Sequence, residues 1–305
     1  MIMDKTEPMN HFKFPFRTFF FIILLSMFAA IGCTSNPFGF DETIASTKIK
    51  GKIVLEDNIR PDSIYVWLET FDIGDYTDSQ GNFSLKIPPP NVQGIDNGLS
   101  GKFMIYFYLP NYFLDSVAVW FANGKLADDQ ETIDSKGKLT QTVVLEKILN
   151  IKNSVVPSVI TIGYADTVKV YSELESLAGE LTVKCLIYNV PFGASTKTYK
   201  SGLILQSVTS NKMYRLRHED AFKYPYTLPF PGKVTWTYNL LVDSTLIEPG
   251  TYRIVPFIII PQAKAPAKLI ENITIDFPVY EFETNCFSRH IKCTDAFLQI
   301  LPKEE

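Results

Sequence analysis

Histidine is scarce in this sequence, with three in 305 residues, and once the first 32 residues are set aside only His218 and His290 remain. A serine triad needs an imidazole to carry its proton, so that chemistry has few candidates. No Gly-x-Ser-x-Gly elbow, His-Glu-x-x-His run or phosphate-cradling glycine loop occurs. Basic residues are outnumbered, 29 against 33 acidic, and they form no run. Nucleic acid is therefore not an expected partner. Helical heptads, low-complexity tracts and a fixed short repeat are all missing. A helical reading would have to break at 19 prolines. Long apolar runs are missing too, with one partial exception.

That exception is Thr18 to Gly32, which carries no charge. It falls short of the roughly 20 apolar residues a bilayer-spanning helix needs. Lys13 and Arg17 ahead of it supply a positive n-region, so residues 1–32 read as a signal peptide. Asp4 and Glu7 are unwelcome there, and Met9 would start a cleaner signal. Ala30-Ile31-Gly32-Cys33 resembles the lipobox of bacterial lipoproteins, with Ala30 in place of the usual Leu. The resemblance implies cleavage before Cys33, lipidation of its sulfur, and tethering to the membrane. Each buried CH₂ contributes about 0.8 kcal/mol, and two or more acyl chains make such an anchor stable. Thr34, where Asp can retain a lipoprotein at the inner membrane, points to the outer membrane.

Besides Cys33 there are Cys185, Cys286 and Cys293. The last two stand close in "NCFSRHIKC", and an envelope compartment permits disulfides. Closing so short a ring would stabilise by about 2.5 kcal/mol in the loop-entropy model. Adding His290 gives a metal alternative, but its spacing is not a standard zinc pattern and no fourth ligand is evident. The disulfide Cys286–Cys293 is the favoured reading, with no metal and no cofactor. Cys185 lies in the alternation Leu181, Val183, Cys185, Ile187 and is expected to be a buried, inert thiol.

Abundant Phe and Tyr, with Gly and Pro at short intervals, indicate an all-β chain of two tandem β-sandwiches. A polar tether, residues 33–45, precedes the first. In "YTDSQGNFSLKIPPP", Phe83, Leu85 and Ile87 alternate, and Asp78 to Asn82 supply the turn entering them. Asp72, Asp75 and Asp78 invite a calcium reading, but their spacing favours turn chemistry. Residues 46–149 resemble the carboxypeptidase regulatory-like domain, a transthyretin-like (prealbumin-like) sandwich. The resemblance rests on Gly51-Lys52-Ile53-Val54, on Thr77-Asp78 through Gly81-Asn82-Phe83, and on Leu109-Pro110-Asn111-Tyr112. Asn111 departs from the family's usual Pro-Gly-Tyr, and it also tolerates a left-handed turn. What the resemblance implies is a non-catalytic accessory module.

"NIKNSVVPSV" reads as a linker, and residues 150–305 as a second sandwich. Its expected strands include "ELTVKCLIYNV", "KTYKSGLILQSV", "NKMYRLR", "KVTWTYNLLV", "GTYRIVPFIII" and "LIENITIDFPVYEF". The "PGTY" entry at Pro249-Gly250-Thr251-Tyr252 resembles immunoglobulin-like bacterial domains. Acid pairs exist at Asp128-Asp129 and Glu219-Asp220, and "RLRHED" sets His218 beside Glu219, but a solvated strand end explains that run better than catalysis. The stronger candidate is "DAFKYPYTLPFPGK", a proline-rich loop bearing Phe222, Tyr224, Tyr226 and Phe230. These rings either stack on a glycan or protein ligand or cover the open edge of the sandwich, the second being favoured. The expectation is a non-enzymatic, lipid-anchored envelope protein with a binding or structural role, the alternative being a surface glycan-binding lipoprotein.

Overall fold

The computed structural model describes residues 48–94, 98–127, 130–210, 212–242, 247–273 and 291–303. Strands account for 55% of it and helix for 4%, which makes the chain all-β. The first strands are β1 (Lys48–Leu55), β2 (Tyr65–Leu68), β3 (Ile73–Tyr76), β4 (Asn82–Lys86), β5 (Gly101–Tyr108), β6 (Asp115–Ala122), β7 (Lys125–Leu126) and β8 (Val143–Leu145). There follow β9 (Leu149–Val156), β10 (Val159–Thr161), β11 (Val168–Ser176), β12 (Leu181–Phe192), β13 (Ser195–Ser201), β14 (Leu203–Ser207), β15 (Met213–Leu216) and β16 (Phe222–Leu228). The last elements are β17 (Lys233–Leu240), β18 (Gly250–Pro256), β19 (Ile258–Ile259), the helix α1 (Ala267–Ile273) and β20 (Phe297–Leu301).

Sheets β4-β1-β8 and β3-β2-β5-β6-β7 enclose the first core. Strand β1 runs antiparallel to β4 and then parallel to β8. Its inward positions are Ile49, Gly51, Ile53 and Leu55. Gly51 has no side chain because a Cβ there would stand 2.6 Å from the Phe83 ring. Phe83, Leu85 and Ile87 point inward as their alternation predicts. The turn before them is built as expected: Asp78 Oδ1 accepts from the backbone N–H of Gln80 at 2.8 Å and of Asn82 at 2.9 Å. Gly81 takes φ +82°, and a Cβ on it would meet the Ile53 carbonyl at 2.0 Å.

The second core lies between β10-β20-β18-β14-β15 and β16-β12-β13-β17-β11-β9, with β19 also on β12. Several elements differ from the sequence-based expectation. "NIKNSVVPSV" is not a linker, because Leu149 and Ile151 bury their side chains and β9 pairs with β11 along its length. "KTYKSGLILQSV" is two strands in different sheets, divided at Gly202 with φ +90°. "DAFKYPYTLPFPGK" is largely strand β16 rather than loop. Residues 269–273, expected to open a strand, belong to α1, whose Leu269, Ile270 and Ile273 share one helical face.

Helix α1 packs that face on Tyr65, Trp67 and Tyr108, the outer side of β2 and β5. Asp72 receives the Trp67 Nε1–H at 3.0 Å and the Asn272 amide, with Lys268 Nζ at 3.7 Å. A second join is polar. Asn111 is fully buried, and its Nδ2 donates to the carbonyls of Leu149 and Lys292 while its Oδ1 accepts from the Lys292 N–H. Its backbone is not left-handed, so these three bonds account for Asn where the resembled motif has Gly. Gln262 serves the same loop, accepting from the Leu114 N–H at 2.8 Å and donating to the Tyr112 carbonyl at 2.9 Å. The ion pair Lys292–Asp62, at 2.7 Å, closes the seam, and within the first sandwich Asp57 meets Lys147 at 2.7 Å and accepts the Tyr112 hydroxyl.

Candidate functional site

Strand β16 is the outermost strand of its sheet and pairs with β12 alone. Such a strand tolerates Pro225 because one of its sides makes no ladder. Phe222, Tyr224, Tyr226 and Leu228 occupy one face of it, opposite Ile187, Cys185, Val183 and Leu181. Burial falls along that face from Leu228, which is fully covered, through Tyr226 to Tyr224 and Phe222, which are 45% and 44% exposed. Phe230 lies just beyond the strand and is 50% exposed. Of the four rings named from the sequence, one covers the sandwich as foreseen. Tyr226 packs on the core, edge-on to Trp236 at 5.5 Å, while the other three face water.

Beneath Tyr226 stands Lys200, which the sequence did not single out. Its Nζ lies 4.5 Å from the Tyr226 ring centre, 4.4 Å from that of Trp236 and 3.6 Å from Cys185 Sγ. Among the described residues no carboxylate pairs with it. An ammonium over two aromatic faces is held by their negative quadrupoles. Burial pushes the Cys185 thiol up, and the neighbouring ammonium offsets this only in part. Burial likewise holds the Tyr238 hydroxyl well above its ordinary value. That hydroxyl and the Trp236 Nε1–H are buried with no hydrogen-bond partner among the described residues.

Lys200 also borders an open cleft of about 350 Å³ where the chain crosses twice between the two sheets. One crossing is Ser201-Gly202. The other runs from Leu216 to Asp220, and the His218 N–H binds Ser201 Oγ at 2.8 Å to tie the two together. His218 lies flat on Tyr188, with ring centres 4.0 Å apart and planes 1° from parallel, and Tyr188 stacks in turn on Tyr199 at 5.5 Å. Burial, and then Tyr199, raise the pKa of Tyr188. The backbone N–H of Asp220 donates to His218 Nδ1 at 3.2 Å. Strand alternation in "TYKSG" was the one sequence signal that would have set Tyr199 and Lys200 on opposite faces; nothing local announced their partners.

The remaining named residues are placed as follows. Cys33, Cys286, His290 and the Asp128-Asp129 pair lie outside the described residues. Cys293 carries a free thiol, pushed up by burial, with Arg253 Nη2 at 3.6 Å, and no disulfide forms among the described residues. The expected pairing with Cys286 thus gains no support. Cys185 is buried as anticipated. Glu219 and Asp220 are exposed on a turn, Asp220 Oδ2 lying 3.7 Å from His218 Nδ1. Among the described residues no helix is long and apolar enough to cross a membrane.

No family model matches this chain, and no curated protein does either. Among solved structures, it is similar to a DUF3823 family protein from Bacteroides ovatus at 11% identity and a TM-score of 0.28, over 70% of this chain and 88% of that one. It is also similar to the TIE protein of Bacillus anthracis at 11% identity and a TM-score of 0.22, over 85% of this chain and 33% of that one.

Proposed function

We propose that the protein is a non-catalytic, lipid-anchored component of a bacterial cell envelope, a binding or structural accessory module of a surface or outer-membrane complex. The observation that carries this reading is Ala30-Ile31-Gly32-Cys33 at the end of a short uncharged run, ahead of a compact β-unit from Ser46 onward. Acylated at Cys33, the chain holds that unit close to the bilayer through a short polar tether. The resemblance of residues 46–149 to the carboxypeptidase regulatory-like domain supports a spacing or docking role for the first sandwich. Mass analysis of the membrane-extracted chain tests the anchor. A diacylated or triacylated Cys33 as the first residue is expected, and an unmodified Cys33 refutes it. Protease shaving of intact cells, with a periplasmic protein as lysis control, then reports which way the unit faces.

A second reading, a surface glycan-binding lipoprotein, is favoured by the exposure of Phe222, Tyr224 and Phe230 on and beside an outermost strand. Rigid aromatic faces give contact area at small entropic cost. The double substitution Tyr224→Ala and Tyr226→Ala tests it. A folded variant that no longer binds envelope polysaccharide supports the reading, whereas an unfolded variant with no binding phenotype in milder substitutions returns these rings to a purely structural role.

A further inference from the structure

Between Lys184 and Lys197 the chain carries no charged residue, and from Tyr188 to Tyr199 the single charge is Lys197. This stretch is the outer part of the hairpin made by β12 and β13. Strand β16 pairs with β12 only as far as Ile187, and β17 meets β13 only at Lys200. Beyond those points the ribbon pairs with itself alone among the described residues, and Asn189 to Thr198 are exposed. Gly193-Ala194 closes it as a two-residue turn, with Gly193 at φ +60° in the first central position. A two-stranded ribbon without a sheet beside it is marginally stable in water. Its two faces differ. Tyr188, Val190 and Phe192 share one face with Lys197 and Tyr199, because residues paired across a ladder point the same way. Asn189, Pro191, Thr196 and Thr198 take the other, where Thr198 Oγ1 donates to Asn189 Oδ1 at 2.8 Å. On the aromatic face Phe192 is 59% and Val190 39% exposed, and the Lys197 Nζ lies 3.6 Å from the Phe192 ring centre.

We infer that this ribbon is a second membrane contact, which lays its aromatic face in the head-group layer of an anionic bilayer. Phe192 and Val190 enter the boundary with the acyl chains, Tyr199 sits at head-group level, and Lys197 leaves the Phe192 ring for a lipid phosphate. An apolar and aromatic face whose sole charge is an ammonium complements a negative lipid surface, and residues 185–199 hold no carboxylate to be repelled from it. The acids Glu219 and Asp220 follow His218 at the ribbon's base, where His218 stacks on Tyr188, about 13 Å of strand from Phe192. The ribbon goes no deeper than the interface, since its outer backbone groups must keep water. The nearness of a bilayer rests on the anchor reading above: residues 33–47 precede β1 and span at most about 50 Å fully extended, which keeps the unit beside the lipid. A flexible tether leaves orientation free, and a second contact fixes it. The exposed rings of β16 take no part, since Phe222 and Tyr188 lie on opposite faces of their sheet by alternation from Ile187.

The test is co-sedimentation of residues 33–305 carrying Cys33→Ser, so that no acyl chain contributes, with vesicles. Both cores begin after residue 48, so this chain keeps them whole. One vesicle set is an equal mixture of phosphatidylglycerol and phosphatidylcholine, and the other is phosphatidylcholine alone. Binding to the anionic set is expected to exceed binding to the neutral set and to weaken as salt is raised. Phe192→Ser should lower the partition by about tenfold on the anionic vesicles, and Lys197→Ala by about fivefold, both with the thermal transition unchanged because the two side chains are exposed. Tyr224→Ala should bind as the parent does. Hydrogen exchange at residues 189–198 should slow when anionic vesicles are added. No sedimentation with either vesicle, full binding in Phe192→Ser, or unchanged exchange in the ribbon would overturn the inference. So would vesicle binding that survives Phe192→Ser while cross-linking to an envelope protein is lost, which would make the ribbon a protein-docking arm. Acylation of Cys33 is read by mass and is absent from the sedimented chain, so the anchor and the ribbon can fail separately.

Discussion

Two polar clusters sit at opposite ends of a logical scale in this molecule. At the seam between the two cores most of the buried polar groups are partnered: Asn111 makes three bonds, Gln262 serves a loop of carbonyls and Lys292 meets a carboxylate, while Asn272 Oδ1 on α1 has no partner among the described residues. Around β16 and the cleft, Lys200 lacks a carboxylate, and Tyr238 and Trp236 bury polar hydrogens with no acceptor among the described residues. A saturated cluster fixes one arrangement, because each alternative leaves a buried donor or acceptor unpaired at a cost of about 1–3 kcal/mol. An unsaturated one keeps interaction capacity in hand. The Asn111 cluster is built for rigidity.

The contrast can be broken most forcefully at Asn111. Asn111→Ala strands the Lys292 N–H and two carbonyls, and should cost about 3 kcal/mol in urea unfolding. A loss under about 1 kcal/mol would mean that the seam is not saturated in the sense argued here. Gly81→Val comes next. Its Cβ has no room beside the Ile53 carbonyl and its φ is left-handed, so a loss of about 2 kcal/mol is expected in the same assay.

Acid gives a third, more selective handle on the seam. Burial alone would raise the Asp62 carboxyl, but hydrogen bonds and charge from Arg60 and Lys292 outweigh it and hold the group well below the usual carboxylate range. Asp57 is lowered in the same way, with Lys147 and Tyr112 outweighing its burial. A depressed carboxylate stabilises fully above the unfolded value, about 3.9, and that stabilisation is lost as pH falls through the lower folded value. Stability measured by urea should therefore fall steeply below about pH 4, and Asp62→Asn should flatten the fall while lowering stability at neutral pH. An unchanged slope would show that Asp62 contributes nothing to it. The smallest effect belongs to Lys200. Lys200→Met keeps the stem over Tyr226 and Trp236 and removes only the charge, so stability should move by less than about 1 kcal/mol in either direction. A loss as large as that of Asn111→Ala would make Lys200 a structural residue and erase the contrast.

Much of the frame was legible because alternation reports which face of a strand is covered. Ile49, Ile53, Phe83, Leu85, Trp236 and Tyr238 all point where their spacing places them. The turn at Asp78 to Asn82 was legible for a local reason, since one carboxylate and one glycine make it. Strand β16 was misread because Pro225, Pro229 and Pro231 signal a loop, and only tertiary placement at the sheet's margin makes Pro225 acceptable in a strand. Helix α1 was misread because a short apolar run has no period long enough to tell helix from strand. The cleft could not be read at all. Tyr188, Lys200, Arg217 and Asn239 meet only because Gly202 lets the chain leave one sheet for the other.

Helix α1 also has a consequence in time. Asn272 and Asp72 bond across 200 positions of chain, and Leu269 covers Trp67 over a similar span. At the usual pace of synthesis, the aromatic wall of Tyr65, Trp67 and Tyr108 waits on the order of ten seconds or more for its cover. Throughout that interval it offers a sticky surface to any holding factor or neighbouring nascent chain. An export route that keeps the polypeptide extended until all of it has emerged would spare the protein that exposure.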